Sequence, residues 1–227
     1  METDDAFVVI PAYNEVKNIS TVLTEVQKYA KNIVVVDDGS TDGTSKVVGK
    51  YNVYLLRHIV NLGKGASMKT GCEFAISNGA KKIVFIDSDG QHDPKELPVF
   101  LKALDEFDAC LGFRLREGQM PIIYRFGNQF LDWFSRLILG KKIVDTQCGF
   151  RSIRSSAYKK IKWNSSDYTV ETEMLLNIVK NKLRYTQVKI KTIYKENYKG
   201  TGIFDGFKIV FNMIRFKFYG LFGILFK

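Results

Sequence analysis

Two carboxylates separated by one residue follow a short apolar run near the middle of the chain. In the sequence IVFIDSDGQHDP, the run 83–86 is followed by Asp87, Ser88 and Asp89, and then by Gly90 and Gln91. If the run is a buried strand, both carboxylates leave its carboxyl end and can reach one ligand. Oxygen ligands suit a hard cation such as Mg²⁺ or Mn²⁺, which substrate oxygens and water would complete. Asp87, Asp89 and Gln91 are therefore candidate metal ligands, the alternative being a solvated turn.

Short β-rich runs alternate with helical stretches over the first half of the chain. The runs are apolar without polar alternation, which is typical of parallel strands covered on both faces. This succession predicts an α/β fold with a mostly parallel central sheet and helices on both faces. In such sheets ligands bind beyond the carboxyl ends of the strands. The expected strands are 7–10, 33–36, 53–56, 83–86 and 109–113, and the expected helices are 17–30, 44–50, 64–78 and 94–106.

Polar clusters follow four of the expected strands. They are PAYNE at 11–15, DDGSTDGT at 37–44, NLGKGA at 61–66 and DSDGQ at 87–91. The carboxylates of Asp37 and Asp38 suit the N–H groups of a base or the hydroxyls of a ribose. Tyr13 is suited either to stacking on a base or to packing. Lys64 lacks the GxxxxGK[ST] spacing and no GxGxxG follows the first strand, which argues against a P-loop NTPase and against dinucleotide binding.

The charge is distributed unevenly along the chain. The net charge of the 227 residues is +10, but residues 1–113 hold 12 basic and 16 acidic side chains, whereas residues 114–227 hold 22 and 8. This asymmetry indicates an anionic partner for the second half, either a phosphate, an anionic membrane or a nucleic acid. The three cysteines are widely spaced without a CxxC pair, which favours reduced thiols over a disulfide framework or a zinc site.

Two apolar segments of the second half carry a narrow polar stripe at helical spacing. Neither contains the roughly 20 predominantly apolar residues that a membrane span needs. Such helices lie in a membrane interface or pack as ordinary core helices, and neighbouring lysines favour an anionic leaflet. We therefore expect a peripheral protein on the cytoplasmic face of a membrane. The stripes are Arg125, Asn128, Asp132 and Arg136 in the first segment, and Asp205, Lys208, Asn212 and Arg215 in the second.

Taken together, the four polar clusters resemble the family 2 glycosyltransferases with the GT-A fold. Within that family the chain is most similar to the dolichyl-phosphate mannose synthase-like branch, which makes polyprenyl-phosphate sugars. The motifs DTQCGFR at 145–151 and YTVETEMLL at 168–176 resemble the same branch. We expect a GT-A domain over 1–200, with a nucleotide-sugar half at 1–113 and an acceptor half at 114–200. An amphipathic membrane-interface helix is expected over 201–227.

The resemblance implies a role for each matching position. The nucleotide sugar would be held by Pro11, Ala12, Tyr13, Glu15, Asp37, Asp38, Gly39, Lys64, Asp87 and Ser88. The metal and the donor diphosphate would be held by Asp87, Asp89 and Gln91. The acceptor phosphate would meet Arg114 and Arg125, together with Lys195 and Lys199 in a loop where family members often carry an arginine. Glu173 would organise the sugar or the acceptor loop. Asp89, Arg114, Arg125 and Glu173 are the candidate catalytic residues.

The expected reaction is an inverting, metal-dependent transfer of a hexose from a nucleotide sugar of the GDP-mannose or UDP-glucose type to a polyprenyl or dolichyl phosphate. A phosphate monoester is already anionic near neutral pH, so this acceptor requires no general base. A rival reaction within the family transfers the sugar to a hydroxyl and needs a base such as Asp145, Glu171 or Glu173.

Two rivals lie outside the family. A nucleotidyltransferase is disfavoured because PAYNE is not a glycine-rich basic loop. An RNA-binding module is disfavoured because the aromatic residues of the second half lie in helical stripes and form no recognisable RNP pattern. No nucleic-acid partner is expected.

Overall fold

The computed structural model describes residues 4–114 and 143–193, together with six helical residues at 133, 134, 137, 210, 211 and 214. Seven strands form one sheet within these residues. The strands are β1 (Ala6–Ala12), β2 (Asn32–Asp37), β3 (Tyr54–Arg57), β4 (Lys82–Phe85), β5 (Ala109–Arg114), β6 (Arg151–Arg154) and β7 (Tyr185–Ile190). The helices are α1 (Ile19–Val26), α2 (Thr44–Val48), α3 (Lys64–Ser77), α4 (Leu97–Ala103), α5 (Tyr158–Ile161) and α6 (Val170–Lys180), with 3₁₀ turns at Pro94–Glu96 and Ser155–Ala157.

The strand order in the sheet is β3-β2-β1-β4-β6-β5-β7. Strands β1 to β4 pair in parallel, as do β5 and β7, whereas β6 runs antiparallel to both β4 and β5. The α/β class and the mostly parallel sheet expected from the sequence are confirmed. The reversed strand β6 and the edge strand β7 were not expected, because neither has an uninterrupted apolar run.

Two apolar clusters cover the two faces of the sheet. Alternate residues of the central strands point to opposite faces, so Val9 and Val34 join one cluster while Val8 and Ile33 join the other. The first cluster contains Met68 and Cys72 of α3 and Met174 and Leu175 of α6. The second contains Ile19 and Leu23 of α1 and Phe100 of α4. Helices therefore lie on both faces of the sheet.

The helices end earlier than the sequence pattern suggested. The first helix was expected over 17–30 but spans Ile19–Val26, after which hydrogen-bonded turns continue to Ala30. The stretch expected as one helix over 94–106 divides into the turn Pro94–Glu96, whose Lys95 amide donates to Asp93 Oδ1, and α4. Apolar periodicity does not separate a last turn from a helix, so these boundaries could not be read from the pattern.

The two segments expected at a membrane surface lie mostly outside the described residues. Those that are described, at 133, 134, 137, 210, 211 and 214, are helical. Trp133, Leu137 and Phe211 each expose more than half of their surface, at 58%, 59% and 64%. Over the described part of the chain, no helix is long and apolar enough to cross a bilayer. The proposed boundary at residue 200 remains a prediction.

Gly71 provides a test of how closely α3 packs on the sheet. A Cβ added at this position would lie 3.1 Å from Val36 Cγ2 and closer still to Val9 Cγ1. We expect Gly71→Ala to lower the free energy of unfolding by about 1–3 kcal/mol, the usual cost of overpacking a core. Urea denaturation measures this change.

The matched control is Gly49→Ala, since the nearest atom to its added Cβ is Ser45 O at 3.4 Å. This variant should be as stable as the unmodified protein or slightly more stable, because alanine restricts the unfolded chain. Equal stability of the two variants would contradict the packing described for α3.

Candidate active site

Four loops meet at the carboxyl edge of the parallel strands β1 to β4. The loops after β1 and β2 are joined by hydrogen bonds from three successive backbone amides to three side chains of the DDGSTDGT motif. The pairs are Asn14 N–H with Ser40 Oγ (2.9 Å), Glu15 N–H with Thr44 Oγ1 (2.9 Å) and Val16 N–H with Asp42 Oδ2 (3.0 Å). The motif therefore fixes the path of the first loop, a role that the sequence analysis did not assign to it.

Asp37 and Asp38, expected at the nucleotide, point into the protein. Asp37 is fully buried and its Oδ1 accepts a hydrogen bond from the Ser40 amide at 2.9 Å. The carboxylate of Asp38 accepts from the amides of Leu62 (2.9 Å) and Gly63 (2.7 Å). Both carboxylates thus shape the loops after β2 and β3, and their contact with a nucleotide stays a prediction.

Other predicted donor-site residues differ in how accessible they are. Tyr13 is 45% exposed, whereas Pro11 and Ala12 are buried in β1. Glu15 is largely buried and its Oε2 accepts from Asn18 Nδ2 at 2.6 Å. Gly39 has a φ of +73° and its backbone packs on 60–61, so a side chain would not fit there. Tyr13 is therefore the exposed side chain of this group, and its contact with a nucleotide stays a prediction.

The centre of the site is an ammonium group between two carboxylates. Lys64 Nζ lies 2.6 Å from Asp87 Oδ1 and 2.7 Å from Glu171 Oε1. The side chains of Lys64 and Glu171 are only 15% and 3% exposed. Burial opposes the charge on Lys64, but the two carboxylates outweigh it and hold the pKa of Lys64 above its ordinary value. Burial would also raise the pKa of Asp87, but Lys64 and the other nearby basic groups together outweigh burial and hold this pKa below its ordinary value.

The second half of the chain closes the site from one side. The buried Arg151 donates to the carbonyls of Cys148 (2.8 Å), Thr146 (2.6 Å) and Glu171. Gly149 lies so close to Asp87 that a Cβ added there would be 2.8 Å from Asp87 Oδ1 and closer to Oδ2. The motif DTQCGFR therefore packs against Asp87 through Gly149 and binds the backbone of Glu171 through Arg151. Neither Gly149 nor Arg151 was predicted from the sequence as a site residue.

Asp89 lies at the same edge, and its carboxylate Oδ1 accepts a hydrogen bond from the Gln91 amide at 2.9 Å. Burial, and then the neighbouring charge of Asp87, raise the pKa of Asp89 to about 6. Ser88 and Gln91 are buried beside it. His92 is also buried and its Nδ1 lies 3.9 Å from Asp87 Oδ2. Burial lowers the pKa of His92 to about 4, so the ring is neutral near pH 7.

The donor set fits a divalent cation that a substrate would complete. Two neighbouring carboxylates such as those of Asp87 and Asp89 repel each other when both are ionised, and a bound cation offsets this repulsion. Two buried polar atoms at this edge, Glu171 Oε2 and His92 Nδ1, have no hydrogen-bond partner among the described residues. Those residues contain no group of three or more His, Cys, Asp or Glu side chains arranged as a metal cage. In proteins, Mg²⁺ commonly binds to one or two carboxylates together with water and substrate phosphates.

Arg114, expected at the acceptor phosphate, is paired within the protein. Its Nε donates to Asp145 Oδ2 (2.6 Å) and its Nη2 donates to Asp145 Oδ1 (2.8 Å). The backbone amide of Arg114 also donates to Oδ2 (2.9 Å). Both side chains are nearly buried. The pair joins the end of β5 to the loop that contains Gly149. Arg125, Lys195 and Lys199 lie outside the described residues.

Glu173 lies two residues after Glu171 in α6, and its carboxylate has different partners. Its oxygens accept from the backbone amides of Asn164 (2.9 Å) and Ser165 (2.8 Å) and from the Ser165 hydroxyl. Glu173 thus fixes the loop before α6, whereas Glu171 contacts Lys64. The sequence analysis weighed Glu171 only as a base for the rival reaction. The Glu-x-Glu spacing at the start of a helix could not show which of the two faces inward.

The chain is similar in sequence to known proteins over most of its length. The sequence model of Glycosyl transferase family 2 matches residues 7–162. The UDP-N-acetylglucosamine–dolichyl-phosphate N-acetylglucosaminyltransferase of Methanococcus voltae is 32% identical, and the match covers 93% of this chain and 95% of that protein. The polyprenol monophosphomannose synthase of Mycolicibacterium smegmatis is 27% identical, with 98% and 89% covered.

The fold is similar to that of the glucosyl-3-phosphoglycerate synthase from Mycobacterium tuberculosis. Its complex with uridine diphosphate gives a TM-score of 0.74 at 18% identity and covers 93% of this chain and 79% of that one. A structure of that synthase with Mn²⁺, uridine diphosphate and glucosyl-3-phosphoglycerate gives a TM-score of 0.72 at 17% identity, with 98% and 81% covered. The expectation of a GT-A fold is confirmed by this likeness.

The buried pair of Arg114 and Asp145 yields a stability prediction. Asp145→Asn should lower the free energy of unfolding by about 2–4 kcal/mol, since it leaves a nearly buried guanidinium without its counter-charge. Asparagine tolerates the left-handed backbone of this position (φ +54°), so backbone strain does not confuse the result. Urea denaturation is the measurement.

Asp105→Asn is the matched control, because Asp105 pairs with Lys82 at 2.5 Å on the surface and is 57% exposed. Exposed pairs contribute little, so this variant should unfold like the unmodified protein. If Asp145→Asn is as harmless as the control, the pair does not anchor the loop.

Proposed function

The chain belongs to glycosyl transferase family 2, and from this membership we propose that it transfers a sugar from a nucleotide sugar to a polyprenyl or dolichyl phosphate. The names of the relatives from Methanococcus voltae and Mycolicibacterium smegmatis support a polyprenol-type acceptor. They differ in the sugar, N-acetylglucosamine in one and mannose in the other, so the donor is proposed only as a nucleotide-activated hexose or hexosamine. The GDP-mannose and UDP-glucose types remain the donors expected from the sequence.

The observation that carries this proposal is the charged pocket at the carboxyl edge of the sheet. Asp87 and Asp89 leave the end of β4, and the Lys64 ammonium lies against Asp87 in a largely buried position. Carboxylates for a cation and an ammonium for an anion, side by side, suit a metal-bound diphosphate. Tyr13, exposed at the end of β1, offers a flat surface for the base.

Asp87 and Asp89, with the side chain of Gln91, would hold Mg²⁺ or Mn²⁺. When bound, the metal neutralises the diphosphate as it leaves the sugar. Asp89 is suited to this contact because burial and the neighbouring charge of Asp87 raise its pKa to about 6, and a bound cation would favour its ionised form. The complexes of the Mycobacterium tuberculosis synthase with Mn²⁺ and uridine diphosphate support this assignment.

The acceptor is proposed to attack the anomeric carbon from the face opposite the leaving group, which inverts that centre. A phosphate monoester needs no base, so positioning and charge are what the protein must supply. Arg125, Lys195 and Lys199 are proposed contacts for its charge. Arg114 is proposed to share its guanidinium between Asp145 and this phosphate, since an arginine has five donor N–H groups.

The rival transfer to a sugar hydroxyl receives less support from the site. Its candidate bases are engaged in other contacts, since Asp145 pairs with Arg114, Glu171 with Lys64, and Glu173 with backbone amides. A carboxylate that is already held by a cation or by backbone amides is poorly placed to accept a proton from an acceptor hydroxyl. A phosphate nucleophile fits this environment better than a hydroxyl.

We further propose that the protein meets its acceptor at a membrane surface from the cytoplasmic side. The exposed helical side chains of Trp133, Leu137 and Phe211 support this, because an aromatic ring in a polar–apolar interface is favourable. The excess of basic residues after residue 113 would attract an anionic leaflet.

The metal role predicts the effect of a charge-neutral substitution at Asp89. Asp89→Asn should lower the rate of sugar transfer by about 10²-fold or more, the size of loss seen when a preorganised electrostatic contact is removed. Excess EDTA should abolish transfer and added Mn²⁺ should restore it. Asp93→Asn, a neighbouring surface change that retains a capping side chain, is the control. Full transfer in excess EDTA would contradict the metal role.

The acceptor is tested by the product. Membranes or liposomes that contain polyprenyl phosphate should receive label from one of a panel of radiolabelled nucleotide sugars, whereas the unphosphorylated polyprenol should not. The product should be an acid-labile sugar phosphate. An acid-stable glycoside, or equal transfer to the unphosphorylated alcohol, would instead support the rival reaction.

A further inference from the structure

The ammonium group of Lys64 lies against Asp87, which is one of the proposed metal ligands. Lys64 Nζ is 2.6 Å from Asp87 Oδ1, and a cation bound to this oxygen would have to replace the ammonium there. An ammonium and a divalent cation cannot share one carboxylate oxygen without strong mutual repulsion. Binding of a metal ion to Asp87 Oδ1 therefore requires Lys64 to give up this contact.

The carboxylate of Glu171 is a second binding partner for the Lys64 ammonium. One of its oxygens, Oε1, already lies 2.7 Å from Lys64 Nζ. Its other oxygen, Oε2, is buried and has no hydrogen-bond partner within the described part of the chain. A buried carboxylate oxygen without a donor is unfavourable, so this oxygen favours the approach of the ammonium.

The backbone is tightly packed on both sides of Lys64, so we assign the movement to the lysine side chain. Added Cβ atoms at Gly63 and Gly65 would each lie 3.0 Å or less from atoms of the Ser166 or Ser165 carbonyl groups, which shows how tightly the start of α3 is packed. The Glu171 carbonyl accepts from the buried Arg151 guanidinium. Lys64 has four flexible bonds in its side chain and needs only a small rotation.

We propose that Lys64 is a built-in counter-ion of the donor site, which moves its ammonium group from Asp87 onto Glu171 when a divalent cation binds to Asp87. This inference rests on the proposed metal-dependent function. Glu171 is here a positioning residue, because its carboxylate keeps the Lys64 ammonium inside the pocket. The displaced ammonium then lies beside the cation, where a diphosphate would meet both.

The exchange is tested by a double-mutant cycle that measures the dissociation constant of Mn²⁺ for the whole protein without nucleotide. Lys64→Met should bind Mn²⁺ about tenfold tighter or more, because no ammonium has to leave Asp87. Glu171→Gln should bind it at least about fivefold more weakly, since the displaced ammonium loses its carboxylate. Lys69→Met, the same substitution in the same helix away from the site, should leave the constant unchanged.

The double variant distinguishes the exchange from simpler electrostatics. If Glu171 acts through Lys64, then Glu171→Gln should change the Mn²⁺ constant by less than about twofold in the Lys64→Met background. An undiminished loss in that background, which makes the two effects additive, would show that Glu171 acts on the metal independently of Lys64. That result contradicts the proposal.

Glu171→Gln keeps the proposal testable if Lys64→Met does not fold, since glutamine has the same shape and retains an acceptor oxygen. Unchanged Mn²⁺ binding in this single variant would also overturn it. Transfer by the unmodified protein is measured separately. Additive binding effects with intact metal-dependent transfer contradict only the exchange, whereas a lack of Mn²⁺ binding with and without nucleotide contradicts the metal site as well.

Discussion

The ion pair of Lys64 with Asp87 and Glu171 is the interaction on which the site depends. It joins the first residue of α3, the end of β4 and the first turn of α6, three elements that are far apart in the sequence. Burying three charged groups is costly, and such networks seldom increase stability over apolar packing. The proposed function accounts for such a network at this edge of the sheet, because a pocket for a cation and a diphosphate would need both signs of charge.

The surrounding residues keep these three groups in place. Arg151 binds three carbonyls, among them that of Glu171, and Gly149 allows the chain to pass directly beside Asp87. The pair of Arg114 and Asp145 anchors the same loop to β5. Residues of the second half thus build one wall of the pocket that holds Lys64, and the division into a nucleotide-sugar half and an acceptor half stays a prediction.

Much of this arrangement could be predicted because the strand runs are apolar and the polar clusters follow them directly. The DSDGQ motif after the run 83–86 indicated the edge at which Asp87 and Asp89 lie. The direction of individual carboxylates could not be predicted. Asp37 accepts a hydrogen bond from the Ser40 amide in its own loop, whereas Asp38 accepts from the Leu62 amide in the loop after β3, a contact that only coordinates show. The same is true of Glu171 and Glu173, whose difference depends on the rotation of α6 against the sheet.

The central claim is that this edge, with Lys64 between its carboxylates, is the donor site. A crystal structure of the unmodified protein with Mn²⁺ and a nucleoside diphosphate tests it most directly, because anomalous scattering locates the manganese independently. The account predicts an anomalous peak in contact with Asp87 and Asp89, the diphosphate on that ion, and the base beside Tyr13. A manganese ion bound elsewhere, or a diphosphate bound away from these carboxylates, would contradict it.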